Sequence, residues 1–209
     1  MTAPLDQIST AIAARKTGSV RLMVAISGAP ASGKSTLSDR LHRHLGGDEA
    51  GVVVVPMDGF HLDNALLRDR DLLPRKGAPQ TFDFRGFHHM LSHIRADDGP
   101  VCIPVFDRTL DLSRGSARIV SPDHRIILIE GNYLLLQQAP WPDLAPLFDL
   151  TVFLDTPLET LEARLIHRWL DHGHDATSAR ARALSNDIPN ARLVQGNSRP
   201  ADIIVNGNG

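Results

Sequence analysis

The sequence predicts an α/β fold with a mainly parallel sheet, on the strength of two recurring patterns. Short, mostly apolar runs that include β-branched residues occupy positions 22–26, 52–55, 125–129, 150–154 and 203–205. Such runs are typical of strands that are buried on both faces. Segments with helical spacing separate them; Leu37, Leu41 and Leu45, for example, lie four residues apart along one stripe of a helix. Strands that alternate with helices pack as a parallel sheet with helical crossovers.

Length and composition favour one domain over residues 1–209. The chain has 42% apolar and 22% charged residues, which is ordinary for a globular domain. Its net charge of −2 gives no electrostatic reason to expect nucleic acid or an anionic membrane as a partner. No stretch approaches the ~20 apolar residues of a membrane span, and residues 1–10 lack the apolar block of a signal peptide. With a single cysteine, Cys102, the chain is expected to be cytoplasmic, and a homodimer is left open.

Local patterns predict the elements that precede and follow the second strand. Apolar residues at 5, 8 and 12 predict a leading helix, which Thr17 and Gly18 end. Residues 63–74 have helical character up to a proline. The polar stretch 75–80, with its glycine and prolines, predicts a loop.

A helix and a hairpin are predicted in the middle of the chain. Asp83 is placed to cap a helix over residues 85–95. Apolar runs at 101–106 and 117–120 follow, with a polar stretch between them. This arrangement predicts a hairpin beside the main sheet.

The last third of the chain is predicted to hold two helices with a lid between them. Thr156 and Glu159, with a proline between them, have the spacing of a capping box in front of a helix whose apolar stripe reaches Trp169. The polar, glycine-bearing segment that follows predicts a mobile lid over about residues 171–186. A further helix is expected to start near Pro189.

A phosphate-loop motif follows the first strand. Gly28, Gly33, Lys34 and Ser35 match the pattern G-x-x-x-x-G-K-[ST]. An ordinary glycine turn is the alternative, but the strand before the motif and the helix after it are the context that a phosphate loop requires. Lys34 is expected to reach the terminal phosphates of a nucleoside triphosphate, and the Ser35 hydroxyl to ligate Mg²⁺. The predicted nucleotide-binding residues are Gly28, Ala29, Pro30, Ala31, Ser32, Gly33, Lys34, Ser35 and Thr36.

Two acids and two arginines are candidates for phosphoryl-transfer chemistry. Asp58 and Glu130 end predicted strands at the sheet edge where the phosphates would lie. One acid could serve Mg²⁺ while the other accepts the proton of a substrate hydroxyl, and the sequence does not decide between them. Arg164 and Arg168 share a helix face before the predicted lid, where they could stabilise charge in the transition state. A solvated strand end or helix face is the alternative interpretation in each case.

An acceptor pocket is predicted between the second strand and the strand end at residues 130–133. Six of the ten aromatic residues lie in this region, together with several acids and bases. Apolar walls with a few convergent polar groups are typical of small-molecule sites. The mixed charges suggest a polyhydroxylated or anionic acceptor. The predicted substrate-binding residues are His61, Arg75, Lys76, Asp83, Arg108 and Tyr133.

Six short motifs carry a resemblance to a known family; they occupy residues 28–36, 57–61, 75–79, 81–83, 104–108 and 130–133. With them the chain resembles the uridine kinase, phosphoribulokinase and pantothenate kinase group of phosphate-loop kinases. Within that group it is most similar to the bacterial fructose transport system kinases, or fructokinase-like proteins. The resemblance implies a three-layer α/β/α fold, a five-stranded parallel sheet and ATP with Mg²⁺ as the donor. It also implies Asp58 as catalytic base and Arg164 and Arg168 as lid arginines.

We therefore expect an ATP-dependent kinase that phosphorylates a hydroxyl of a small metabolite, with a sugar such as fructose as one candidate. A nucleoside or pantothenate kinase stays open, although Gly59 and His61 depart from the uridine kinase pattern and Asn132 and Tyr133 from that of pantothenate kinases. A regulatory ATPase that phosphorylates nothing is the alternative from another class. The predicted acceptor residues favour the kinase, because a regulatory module needs no acceptor pocket.

Overall fold

Seven strands are present in the computed structural model, which describes residues 3–15 and 20–207. They are β1 (Leu22–Gly28), β2 (Val52–Pro56), β3 (Val101–Asp107), β4 (Leu112–Val120), β5 (Ile126–Gly131), β6 (Leu150–Asp155) and β7 (Ile203–Asn206). Five of them form one sheet in the order β2-β5-β1-β6-β7, and every neighbouring pair is parallel. The antiparallel pair β3 and β4 is the predicted hairpin.

The α-helices follow the strands in the alternation that the sequence predicts. They are α1 (Ala3–Arg15), α2 (Lys34–His44), α3 (Asn64–Asp69), α4 (Phe84–Ala96), α5 (Leu158–Asp171), α6 (Ala176–Arg182) and α7 (Ile188–Asn197). Short 3₁₀ turns occur between them, and a π turn, Ala183–Asp187, joins α6 to α7. No helix among the described residues is long and apolar enough to cross a membrane.

Two apolar clusters pack on opposite faces of the sheet and make the fold three-layered. Every residue of β1 and β5 is buried, because helices cover both faces of these central strands. One cluster joins the sheet to α4, α5 and α7 through residues such as Phe87, Leu161 and Ala191. The other joins it to α1 and α2 through residues such as Ile8 and Leu41. The predicted α/β/α architecture is therefore confirmed.

Two predicted helix boundaries are wrong. The helix expected over 63–74 ends at Asp69, since Asp71 takes a left-handed φ of 55° that interrupts helical hydrogen bonding. The predicted capping box does not form, because α5 begins at Leu158 with Pro157 as its N-cap and without a side-chain cap. The Thr156 hydroxyl instead donates a hydrogen bond to the carbonyl oxygen of Ser32, at 3.3 Å.

Of the remaining local predictions, one lies outside the described residues and the others can be compared with the structure. The leading helix is confirmed, whereas Thr17 and Gly18 lie outside the described residues. Asp83 caps α4 as expected, with its carboxylate accepting a hydrogen bond from the N–H of Gly86. The segment predicted to be a lid, 171–186, is mostly helical, since α6 and the π turn fill it after a short turn at Gly173.

We predict that truncation of the buried face of α5 destabilises the fold. Leu161 is fully buried between this helix and the sheet, so Leu161→Ala should cost about 2–5 kcal/mol in the free energy of unfolding. Leu170→Ala is the matched control, because Leu170 lies on the same helix with 40% of its surface exposed and should change stability by less than about 0.5 kcal/mol. Urea unfolding of both variants measures the difference. Equal losses would contradict the packing described for α5.

Candidate functional site

The loop of residues 28–36 joins β1 to α2 with the geometry of a phosphate-binding turn. Gly33 has a φ of 98°, which glycine adopts without strain. A Cβ at Gly28 would lie 2.7 Å from Ser32 Oγ, so this position has no room for a side chain. The helix α2 starts at Lys34, and the first N–H groups of a helix lack intrahelical partners. These N–H groups and the helix dipole favour an anion at this place.

A cleft of about 790 Å³ opens at this loop. Its walls are the loop, the first turns of α1 and α2, and the end of β7. Cofactor and ligand sites commonly have volumes of about 300–1,000 Å³, so the cleft is large enough for a nucleotide. The three basic side chains predicted to act on the phosphates also line it, namely Lys34, Arg164 and Arg168.

The two arginines of α5 make different contacts. Arg164 donates to the carbonyl oxygens of Ala31 and Ser32, each at 3.4 Å, and so ties the phosphate loop to α5. Arg168 donates to the Asp187 carboxylate at 3.4 Å and lines a second cleft as well. Of the two, Arg168 is therefore better placed to reach groups that pass between the clefts.

The second cleft has a volume of about 300 Å³ and adjoins the first. Predicted acceptor residues His61, Lys76 and Arg108 line it. A ligand in one cleft would meet a ligand in the other at the residues that line both. These shared residues are Pro30, Asp58, Arg108, Asn132, Arg168 and His172.

Asp58 lies at this junction, and its neighbours favour the ionised form of its carboxyl group. It follows β2 in a 3₁₀ turn, and Arg108 donates to its Oδ2 at 3.0 Å. Burial by itself would raise the pKa of Asp58, but His61 in its protonated form and the positive charges of Lys34 and Arg108 outweigh burial and hold this pKa below the ordinary value. Asp58 is therefore ionised at neutral pH and able to accept a proton.

Glu130 lies deeper, at the end of β5, with 5% of its surface exposed. Burial raises its pKa above the ordinary value, against the attraction of Lys34 and a hydrogen bond from Ser35. Its Oε2 has no hydrogen-bond partner among the described residues. Carboxylate and hydroxyl oxygens suit Mg²⁺, so Glu130 and Ser35 fit a divalent cation at the phosphates.

His61 is fixed between the acceptor cleft and an aromatic cluster. Its Nδ1 lies 2.8 Å from the Asp58 carbonyl oxygen, and its ring packs on Phe82 and Phe106 with centroids at 4.1 and 4.7 Å. Burial lowers the pKa of His61 below the ordinary value, despite the neighbouring Asp58. The ring is therefore neutral at pH 7 and offers hydrogen bonding rather than charge.

Three predicted acceptor residues do not line either cleft. Tyr133 is buried, and its hydroxyl donates to the Gly77 carbonyl oxygen at 2.6 Å. Asp83 is occupied as the N-cap of α4. Arg75 donates to the carbonyl oxygen of Ser185 at 3.1 Å. These side chains hold the loops around the acceptor cleft, and their place in substrate binding stays a prediction.

Several residues line the clefts although the sequence pattern did not assign them to the site, and four of them carry polar groups that bear on function. Asn132 is 9% exposed, lines both clefts, and has an Oδ1 without a partner among the described residues. The Trp169 indole N–H donates to Asp187 Oδ2 at 2.6 Å, and both residues line the acceptor cleft with Arg182. Asn132 lies two residues after Glu130, and this position in the sequence could have indicated that it belongs to the site. Asp187 lies in a π turn, and no sequence pattern indicated its place in the site.

The comparisons with known proteins agree with this geometry. The Phosphoribulokinase / Uridine kinase family matches residues 23–207. The crystal structure of a "putative fructose transport system kinase" from Silicibacter sp. TM1040 is 45% identical, covers 96% of this chain and 98% of that chain, and superposes with a TM-score of 0.91.

Two sequence relatives carry different names. A "putative uridine kinase" of Schizosaccharomyces pombe is 35% identical over 196 residues, which are 88% of this chain and 83% of the relative. A pantothenate kinase of Mycobacterium sp. (strain KMS) is 33% identical over 154 residues, which are 72% of this chain and 49% of the relative. From the family match and the site geometry, the chain belongs to the phosphoribulokinase and uridine kinase family of phosphate-loop kinases.

Proposed function

We propose that this kinase transfers the γ-phosphoryl group of ATP to a hydroxyl of a small metabolite, with sugars such as fructose as the first candidates. The observation that supports the proposal is the meeting of the two clefts at Asp58, an ionised carboxylate that lines both. A regulatory nucleotide-binding module needs neither a second cleft nor an ionised carboxylate where two clefts meet. The partner we propose is accordingly a small molecule rather than a nucleic acid.

On the donor side, the phosphate loop and Lys34 bind the phosphates of ATP. Kinases of this family use ATP with a divalent metal, and we propose Mg²⁺, with Ser35 and Glu130 as the residues that would hold it. When bound, this ion supplies charge neutralisation at the β- and γ-phosphates. Lys34 adds a compact positive charge, and the N–H groups at the start of α2 donate to the phosphate oxygens.

On the acceptor side, Asp58 accepts the proton of the attacking hydroxyl. The hydroxyl oxygen forms a bond to the γ-phosphorus as the bond from that phosphorus to the bridging oxygen of ADP breaks. Arg108 keeps Asp58 ionised, and Arg168 lies at the junction where negative charge develops. His61 and Asn132 offer hydrogen bonds to hydroxyl groups of the acceptor.

The direct test is a panel of sugars, nucleosides and vitamins incubated with ATP and Mg²⁺, with products detected by mass spectrometry. We expect an ATP-dependent gain of one phosphate on a hydroxylated acceptor. Lys34→Ala is the control and should abolish the gain, since the terminal phosphates lose their point charge. Release of inorganic phosphate without any phosphorylated product would instead favour the regulatory ATPase.

Asp58→Asn should lower kcat by about 10²-fold or more and leave ATP affinity nearly unchanged, because the amide cannot take the hydroxyl proton. Steady-state kinetics with an acceptor from the panel and calorimetric titration with ATP measure the two quantities. Asp39→Asn, an exposed carboxylate on α2, is the matched control. An Asp58→Asn enzyme with near-native kcat would remove the proposed base.

Glu130→Gln distinguishes the effect of this buried carboxylate on the stability of the fold from its role in Mg²⁺-dependent turnover. The folded protein raises the pKa of Glu130 above its ordinary value of 4.5, so the contribution of this group to stability falls as the pH rises from about 4.5 through the raised value. A neutral glutamine removes that cost. The variant should therefore be at least as stable as the parent at pH 8, while its Mg²⁺-dependent turnover drops at least about tenfold.

Urea unfolding at pH 5 and pH 8, with turnover measured over a range of Mg²⁺ concentrations, tests this prediction. Glu159→Gln, on the exposed face of α5, is the control for removal of a surface carboxylate. A Glu130→Gln protein that is less stable at pH 8 and yet retains full turnover would show a structural role instead.

A further inference from the structure

The acceptor cleft contains more basic than acidic side chains. Three of its cations are paired with carboxylates that also line it. Arg108 pairs with Asp58 at 3.0 Å, Lys76 with Asp111 at 2.9 Å, and Arg168 with Asp187 at 3.4 Å. The fourth cation, Arg182, lies within 4 Å of no carboxylate oxygen among the described residues. One guanidinium charge in this cleft is therefore left uncompensated.

Arg182 is held in place by an aromatic ring. Its guanidinium lies 5.1 Å from the centroid of the Trp169 ring, and that of Arg168 lies 5.6 Å from the same ring. The Trp169 indole N–H is in turn fixed by Asp187, at 2.6 Å. Trp169 and Arg168 both donate to the same oxygen of Asp187, Oδ2, and neither oxygen of this carboxylate lies within 4 Å of the Arg182 guanidinium.

The guanidinium groups of Arg182 and Arg168 both lie against the Trp169 ring, and of the two only Arg168 has a carboxylate partner. An anion at Arg182 would balance its charge and receive charge-assisted hydrogen bonds, which the planar fork of arginine makes to carboxylates and phosphates. Arg182 lines the acceptor cleft and is absent from the walls of the donor cleft. Its position therefore favours a group on the acceptor over the phosphates of ATP.

We infer that Arg182, held against Trp169, forms an anion subsite for the acceptor. The acceptor is then a hydroxylated compound that carries a carboxylate or a phosphate away from its reacting hydroxyl, which removes neutral sugars such as fructose from the candidates of the proposed function. This inference rests on the proposed function, because it names the chemical class of the acceptor of that reaction. Arg182 acts in binding and specificity; Asp58 remains the proton acceptor.

The experiment compares matched acceptors that differ in charge. Glucose and gluconate form the carboxylate arm, and fructose and fructose 6-phosphate form the phosphate arm. The enzyme should use the charged member of at least one arm with a kcat/KM at least about tenfold above its neutral partner, since a hydrogen bond to a charged group supplies that much. The arm that shows the preference identifies which anion the subsite takes.

Variants at Arg182 test the residue itself. Arg182→Met keeps an apolar stem on Trp169 and removes the charge, so it should raise the KM for the charged acceptor about tenfold to a hundredfold, with a smaller change in kcat and in the KM for ATP. Arg182→Lys should fall between the parent and Arg182→Met, because it keeps a point charge without the fork. Arg180→Met is the matched control, since Arg180 lies on the same helix, exposed, and pairs with Glu162 at 3.1 Å.

Three results would overturn the inference. Neutral and charged acceptors used equally well by the parent enzyme would exclude an anion subsite. A change in the KM for ATP that exceeds the change in the KM for the acceptor in Arg182→Met would place Arg182 on the donor side. Phosphate release without a phosphorylated product from these acceptors and from the whole panel of sugars, nucleosides and vitamins would overturn the proposed function together with this inference, whereas the first two results leave the kinase assignment intact.

Discussion

Parallel pairing of the central strands is the constraint on which the site depends. In register, β5 lies between β1 and β2, so that Glu130 is flanked by Ile26 on one side and by Pro56 on the other. All three strands then end at one edge of the sheet, and the chain after each of them starts from nearly the same place. The phosphate loop, Asp58 and Glu130 converge for this reason. No contact between their side chains is needed to bring them together.

The convergence leaves three polar atoms buried without partners, two of them on residues that line the clefts and one at the end of β5. Ser32 Oγ, Glu130 Oε2 and Asn132 Oδ1 are buried and lack hydrogen bonds among the described residues. A buried polar atom without a partner costs about 1–3 kcal/mol, so a fold keeps it only where something else compensates. A bound nucleotide, cation and acceptor are suited to compensate here. The site is thus less stable than an apolar core, and ligand binding is expected to stabilise it.

The donor and acceptor sides of the site come from different parts of the fold. The donor side is built from the sheet and the helix that follows its first strand, both of which are fixed by the two apolar clusters. The acceptor side is built from the hairpin, from the turn after β2, and from the α5–α7 region with Trp169 and Asp187. These peripheral elements can vary without disturbing the sheet. Relatives named for fructose transport, uridine and pantothenate are consistent with this division.

The sequence by itself determined the α/β class, the strands, the phosphate loop and the placement of Asp58 and Glu130 at strand ends, because apolar periodicity and glycine geometry are local. Only the tertiary structure decided which strands are neighbours and which polar side chains meet. Thr156, predicted as a helix cap, bonds the phosphate loop instead. The contact of Trp169 with Asp187 joins residues 18 apart through a π turn, and no local pattern encodes such a contact. Side-chain partners are set by how helices pack, which sequence spacing does not specify.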